Sequence, residues 1–274
     1  MAKRNTNWTK QKLNRYLSEG RGMGELNEYK PWLTIQDFPS NGRASRIFSN
    51  NTTKRIHHLF SDIETYCFYI WDWDKNVIDI REHYPLLDLE ETIDVEDINL
   101  DLFKDRFTGE PYILTTTFLL TVEKDNRDKI YVARSVKSKS NLNKSTSIEK
   151  LEIERRYWSS KGIEWGIITE DNVLKQKGKN IEWIYGALSQ YKDYGIDKKN
   201  MIRLCAEFLD YAEISDLPIR TVAKDFEIKN GLKQGTGMFI FKYLIAIRLI
   251  NINMNVEINL NLSLNELLDG EKVI

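Results

Sequence analysis

The residues best placed to do chemistry lie between Arg55 and Pro85, in the stretch RIHHLFSDIETYCFYIWDWDKNVIDIREHYP. Ser61 and Glu64 stand in the S-x-x-E relation, in which a serine hydroxyl and a glutamate carboxylate satisfy each other's backbone amides at a helix start. Ile63, Tyr66, Cys67, Ile70 and Trp71 recur at helical spacing, so an apolar stripe follows and Glu64 sits near the positive end of the helix dipole. Two readings stay open: Glu64 is a helix cap, or it is a carboxylate held ready for a metal ion. Just upstream, Arg43, Arg46, Lys54, Arg55, His57 and His58 lie among small polar residues. That mixture suits contact with a phosphate backbone without base reading, or else a solvated lead-in. Two adjacent histidines are too sparse for a metal site.

The elements around this stretch are expected as follows. Thr9 to Ser18 forms a short helix ending near Gly20, and the remainder of residues 1–54 is arm or loop. Val77 to Leu87 alternates as a strand, with Pro85 favouring an edge or an end. Residues 88–110 form an acidic surface insertion. Tyr112 to Val122 and Lys129 to Lys137 are β-branched and aromatic runs joined by turn residues, a hairpin. A helix over Ile148 to Ser160 ends at Gly162, and Ile163 to Thr169 is a buried strand. This order predicts an α/β fold, a mixed sheet flanked by helices, over residues 1–170. Residues 171–274 change to helices with short turns: Ile181 to Leu188, Met201 to Tyr211, Ile219 to Phe226 and Gly237 to Leu249. With Ile252 to Leu262 as a β-wing, this is a mostly helical, winged-helix-like domain. Its would-be recognition helix is apolar, which favours docking a protein partner over reading bases.

Composition narrows the class. At 274 residues with 41% hydrophobic content, the chain can build two cores. The net charge is −1, but the distribution is uneven. Residues 1–60 hold 11 Lys or Arg against 4 Asp or Glu, and residues 61–110 hold 4 against 15. A basic face beside an acidic region suits a polyanion held next to a cation-dependent site, or simply two solvated surfaces. Cys67 and Cys205 are too few and too far apart for a disulfide framework or a zinc site. No signal-like segment and no membrane-length apolar run occurs, so a soluble, cytoplasmic protein is expected.

Metal-dependent nucleases need two or three oxygen ligands for the ion and a lysine facing the phosphate. Glu64 on a helix and Lys137 at the end of a hairpin strand have that disposition, the arrangement of restriction-endonuclease-like folds. The stretches GRASRIFSNNTTKRIHHLFSDIE, VIDIREHYPLL, EKLEIERRYWSSKGIEWGIITE and NIEWIY resemble TnsA, the endonuclease subunit of heteromeric cut-and-paste transposases, through most of residues 1–190. The resemblance implies an Mg²⁺-dependent subunit that cuts the 5′ ends of a DNA transposon, beside a TnsB transposase subunit and a TnsC ATPase. It places the family's catalytic positions on Glu64, Thr117, Ser135 and Lys137, with Glu64 and Thr117 as the metal positions. Two of these depart from the pattern. Thr117 stands where the family has an aspartate, and Ser135 where it has a glutamine. Short hydroxyls bind a divalent ion far more weakly than a carboxylate, so impaired cleavage is expected, and a non-cleaving subunit that assembles the transposase is the alternative. Asp79 and Glu82 are the candidate substitutes for the missing acid, one on each face of their strand.

Overall fold

The structure, a computed structural model, describes residues 7–37, 43–125 and 127–269. The start of the expected basic arm (1–6) and its centre (38–42) lie outside them. The chain divides into two compact units, Met1–Val173 and Leu174–Ile274.

The first unit begins with α1 (Lys10–Ser18), capped by Thr9, whose hydroxyl accepts the Lys12 amide at 3.2 Å. The described remainder of the basic lead-in is not a loose arm. Strands β1 (Ser45–Phe48) and β2 (Ile56–Leu59) pair antiparallel, with Arg46 opposite His58 and Ile47 opposite His57. Their connecting loop wraps the carboxylate of Asp72, which accepts from the Ser49 hydroxyl at 2.5 Å and the Thr52 amide at 3.1 Å. Asp72 belongs to α2 (Asp62–Trp73), so the hairpin and this helix are locked together.

Strand β3 (Val77–Pro85) follows. The acidic stretch after it holds a short helix, α3 (Leu89–Thr92), and is more than a surface insertion. The carboxylate of Asp105 accepts the Trp8 amide at 2.8 Å, and Trp8 donates its indole N–H to the Pro111 carbonyl at 2.8 Å, pinning the N-terminal segment. Strands β4 (Thr115–Glu123) and β5 (Lys129–Val136) form the expected hairpin; α4 (Lys139–Leu142) and α5 (Ser145–Ser160) lead into β6 (Glu164–Ile168). The sheet order is β3-β4-β5-β6, antiparallel twice and then parallel, a mixed sheet with Pro85 on an edge strand. Leu119 and Ala133 pack on Ile153, Tyr157 and Trp158 of α5. On the other face, Phe118 meets the Trp71 ring of α2 at 4.9 Å.

The second unit contains α6 (Lys175–Tyr185), α7 (Lys198–Glu213), α8 (Ile219–Lys229), α9 (Thr236–Ala246) and α10 (Leu264–Asp269). The apolar α9 is a core helix: Phe239, Ile240, Phe241, Leu244 and Ile245 are buried. Its Gly237 lies so close to α8 that an added Cβ would sit 2.1 Å from the Ala223 carbonyl oxygen. The expected β-wing does not form. Ile252 to Leu262 carries turns and no strand, because Asn253 and Asn259 each accept the amide two residues on, at 2.9 and 3.0 Å, closing local turns in place of a ladder.

A buried ion pair joins the hairpin to the sheet. The Arg55 guanidinium meets both oxygens of Glu82, at 2.8 and 2.5 Å, and donates to the Ile80 carbonyl at 2.7 Å. Arg55→Ala should leave Glu82 charged and unpaired in the interior and cost about 3–5 kcal/mol of stability. Arg55→Leu combined with Glu82→Leu should recover part of that loss in urea denaturation. A cost below about 1 kcal/mol for Arg55→Ala, the scale of an exposed pair, would show that the pair does not anchor the hairpin.

Candidate functional site

Ser61 caps α2, and the capping box forms. The Ser61 hydroxyl and the Glu64 amide are 3.2 Å apart, and the Glu64 carboxylate accepts the Phe60 amide at 2.8 Å through one oxygen and the Ser61 hydroxyl at 3.2 Å through the other. Both oxygens of Glu64 are therefore engaged at the helix start. His83 of β3 comes beside it. Its φ of 50° breaks the strand's alternation, its ring stacks on Phe60 at 4.2 Å, and its Nε2 lies 4.0 Å from Glu64 Oε2. Such a conformation costs a β-strand histidine of order 1–2 kcal/mol, an expense seen where surrounding contacts over-determine it.

Ser135 and Lys137 share the parity of Ala133, which packs on α5; in β4 the alternation is interrupted beside Thr117, since the Thr116 hydroxyl reaches α5 and accepts the Trp158 indole N–H at 2.8 Å. The ladder between β4 and β5 runs to Phe118 opposite Arg134. Beyond it, the Thr117 hydroxyl accepts the Val136 amide at 3.0 Å, a side-chain oxygen doing the work of a carbonyl. Ser135 is fully buried in the strand beside it. Its hydroxyl donates to the Glu154 carboxylate in a short contact and accepts the Trp165 indole N–H at 3.0 Å. Lys137, half-buried, continues the pairing with β6 through its amide, 3.0 Å from the Ile168 carbonyl oxygen.

Two residues that the sequence reading passed over complete this end of the sheet. Glu154 and Lys150 lie one turn apart on α5, with Lys150 Nζ 3.8 Å from Glu154 Oε1. Burial lowers the Lys150 pKa from 10.5 to about 8; Glu154 opposes the shift, Lys137 adds to it, and Glu64 also raises it. Lys150 thus senses a carboxylate from α2, a lysine just past the end of β5 and a carboxylate from its own helix. The signal was present in sequence: Glu154 interrupts an apolar stripe between Leu151 and Trp158, where a charge needs a buried partner.

The expected phosphate-contacting residues separate into two groups. Arg46 is exposed on the hairpin, Lys54 is exposed at its loop, and Arg43 is exposed with Asp62 at 3.5 Å. Arg55 and His57 do not belong with them. Both are buried on the inward face of the hairpin, and His57 Nδ1 lies 2.8 Å from Glu82 while its Nε2 meets the Thr53 hydroxyl at 2.7 Å. Burial lowers the pKa of His57. His58 is half-buried, accepts the Ile35 amide at 3.4 Å through Nδ1, and has its pKa lowered by burial, with Arg46 opposing the proton as well.

Glu82 is fully engaged, while the buried oxygens of Asp79 have an ion pair with Arg81 but no hydrogen-bond partner. Burial would raise the Glu82 pKa, yet His57 and Arg55 hold it well below the carboxylate range, and its Oε1 also accepts the His58 amide at 3.1 Å. Asp79 is buried with Arg81 Nε at 3.3 Å, and burial raises its pKa. Among the described residues no group of three or more His, Cys, Asp or Glu gathers so as to hold a metal ion. The donors at the expected metal positions, a capping carboxylate and a hydroxyl already bonded to an amide, do not make a set that fits Mg²⁺.

Models of the "TnsA-like endonuclease N terminal" and "TnsA endonuclease C terminal" families match residues 74–170 and 172–254. The Transposon Tn7 transposition protein TnsA of Escherichia coli is 36% identical over 192 residues, covering 69% of this chain and 68% of that protein. The chain belongs to the TnsA endonuclease family. The N-terminal TnsA match begins ten residues after Glu64 and contains Thr117, Ser135, Lys137, Lys150 and Glu154. It is a family of endonucleases that work in transposition, which suggests a divalent metal. No helix among the described residues is long and apolar enough to cross a membrane.

The Lys150 ammonium gives a direct readout of this geometry. Its titration, followed by the ¹³Cε chemical shift, should centre near pH 8 and move lower in Glu154→Gln, since the carboxylate is what opposes burial. Because the folded pKa lies below the unfolded one, stability should rise as pH climbs from about 8 towards 10.5. A titration near 10.5 in both proteins would show that Lys150 is solvated and outside the cluster.

Proposed function

We propose that this chain is the TnsA-type subunit of a heteromeric transposase that binds transposon-end DNA and its partner subunits and cleaves that DNA poorly or not at all. One observation carries the reading. The position of the family's central aspartate is Thr117, and its single side-chain oxygen is spent on the Val136 amide. An aspartate there could accept the same amide with one oxygen and present the other to a cation. Thr117 has no second oxygen to present. Glu64 remains in the cap, and the Ser135 hydroxyl donates its hydrogen bond to Glu154. Mg²⁺, the ion that the family resemblance implies, would keep mostly water ligands here. A well-held metal contributes several kcal/mol at a phosphoryl transition state, so its loss lowers the rate by roughly a thousandfold or more.

The same reading assigns other parts. Arg43, Arg46 and Lys54 contact phosphates from the hairpin. The helical second unit docks protein, with a TnsC-like ATPase as the partner by family resemblance, because most of α9 is buried in a core and Lys242 is the only charged side chain it carries for a groove. A TnsB-like subunit supplies the cuts and joins at the 3′ ends. The absence of a second free oxygen at position 117 also supports the alternative, a purely structural subunit that assembles the transposase on DNA.

One experiment on a transposon-end duplex with the TnsB-like subunit present tests this. Mg²⁺-dependent 5′-strand cutting should be near background for the chain, gained in Thr117→Asp, and compared in Thr117→Asp with Ser135→Gln. Binding of the same duplex should persist, and changing Arg43, Arg46 and Lys54 to Ala should flatten the dependence of log affinity on log salt. Full cutting by the unmodified chain, abolished in Glu64→Ala, would sink the impaired-cleavage reading. Cutting that stays at background in Thr117→Asp would favour the structural subunit.

A further inference from the structure

Trp8, Tyr16 and Trp32 form a compact aromatic cluster in the first unit, with Tyr16 meeting both tryptophan rings edge-on at 5.3 and 5.4 Å. Beside it lies a cavity of about 380 Å³, walled by these three rings together with Tyr112, Lys12 and Lys150. That volume falls within the range of roughly 300–1,000 Å³ that organic ligands occupy. Two lysines in an aromatic cavity call for a reason, because burial penalises an ammonium, and burial lowers the pKa of both. Lys12 lies over Trp8 and Tyr16 at 5.6 and 5.8 Å. Asp37 and Asp105 act on it only through space, and no carboxylate is among the described residues that wall the cavity.

The cavity also has a place relative to the chemistry. Lys150 is shared: one side walls the cavity, and the other faces Glu154 and feels Lys137 and Glu64. A ligand reaching from that cluster into the cavity would find cationic groups first and ring faces next. Tyr112 supplies the open ring. It is 45% exposed, its plane is tilted 39° from Trp8, and its hydroxyl is held by Asp105 at 3.0 Å, whereas the Tyr16 face already carries the Arg21 guanidinium at 3.6 Å.

We propose that this cavity receives one unpaired nucleotide of the DNA strand that passes the Glu64–Lys137–Glu154 end of the sheet, its base on Tyr112 and its phosphate between Lys12 and Lys150. The ligand is therefore an aromatic base carrying a phosphate, and the strand is its source. A paired base is stacked on both faces and cannot enter, so the cavity selects frayed or single-stranded DNA next to the cut. The assignment rests on the reading of the chain as a DNA-binding subunit.

The test is fluorescence anisotropy of the full chain at low salt with three probes: a blunt duplex, the same duplex with a five-nucleotide single-stranded tail on either strand, and thymidine 5′-monophosphate as competitor. The tailed duplex should bind about tenfold tighter than the blunt one, the size of effect that one base–aromatic stack supplies. Tyr112→Ala should erase that preference while leaving blunt binding unchanged, Tyr112→Phe should keep it, and Lys12→Ala should weaken it. Equal binding of blunt and tailed duplexes, or a preference that survives both Tyr112→Ala and Lys12→Ala, would overturn the cavity's role and leave the DNA-binding reading standing. No binding of any duplex would overturn both. Competition by the mononucleotide at concentrations as low as the tailed duplex would reassign the cavity to a free nucleotide.

Discussion

Glu82, a carboxylate with no solvent exposure, ties three parts of the chain together. Through Arg55 and the His58 amide it fixes the β1–β2 hairpin against β3, and its own carbonyl accepts the Tyr29 hydroxyl at 3.0 Å, bringing in the N-terminal segment. Burial of such a pair is tolerated only where most of its donors and acceptors are met. The hairpin ends at Leu59, and the next two residues, Phe60 and Ser61, supply the groups that cap α2. Anchoring the hairpin thus sets where the helix starts, and the helix start sets Glu64.

The candidate site is a place where the side-chain oxygens already have intramolecular work. Glu64 closes a helix, Thr117 completes a strand, Ser135 satisfies a buried glutamate, and Lys150 is held between opposite charges. These bonds stabilise the end of the sheet at the cost of open ligand positions. The TnsA scaffold is intact around them, which is why binding and assembly are expected to outlast cleavage. Function lives in side chains set on a fold, and one fold can carry different site residues.

The features that local rules govern were legible in sequence. The S-x-x-E pattern announced the cap, alternating β-branched runs announced β4 and β5, and Gly162 marked the end of α5. Long-range partners were not legible. Arg55, His57 and Leu59 alternate as a buried strand face, but only the fold shows that Glu82 awaits them, so a basic run read as a phosphate contact proved half internal. Glu154 stood out as a charge on an apolar stripe, but its distant partner Ser135 was hidden for the same reason. The missing wing has a different cause: Ile252 to Leu262 has a strand's period, yet its asparagines close turns, and Asn180 takes the Met254 and Val256 carbonyls at 2.9 and 2.6 Å. Side-chain competition for the backbone outweighed the periodic pattern.

Metal occupancy, measured apart from any cutting, bears most directly on the central claim that the side-chain oxygens at this end of the sheet are already committed. Mn²⁺ is a suitable probe, titrated into the full chain and into Thr117→Asp while water-proton relaxation is followed. The account predicts no saturable, Glu64-dependent binding in the chain at millimolar ion, and its appearance in Thr117→Asp. Saturable Mn²⁺ binding by the unmodified chain that disappears in Glu64→Ala would contradict it.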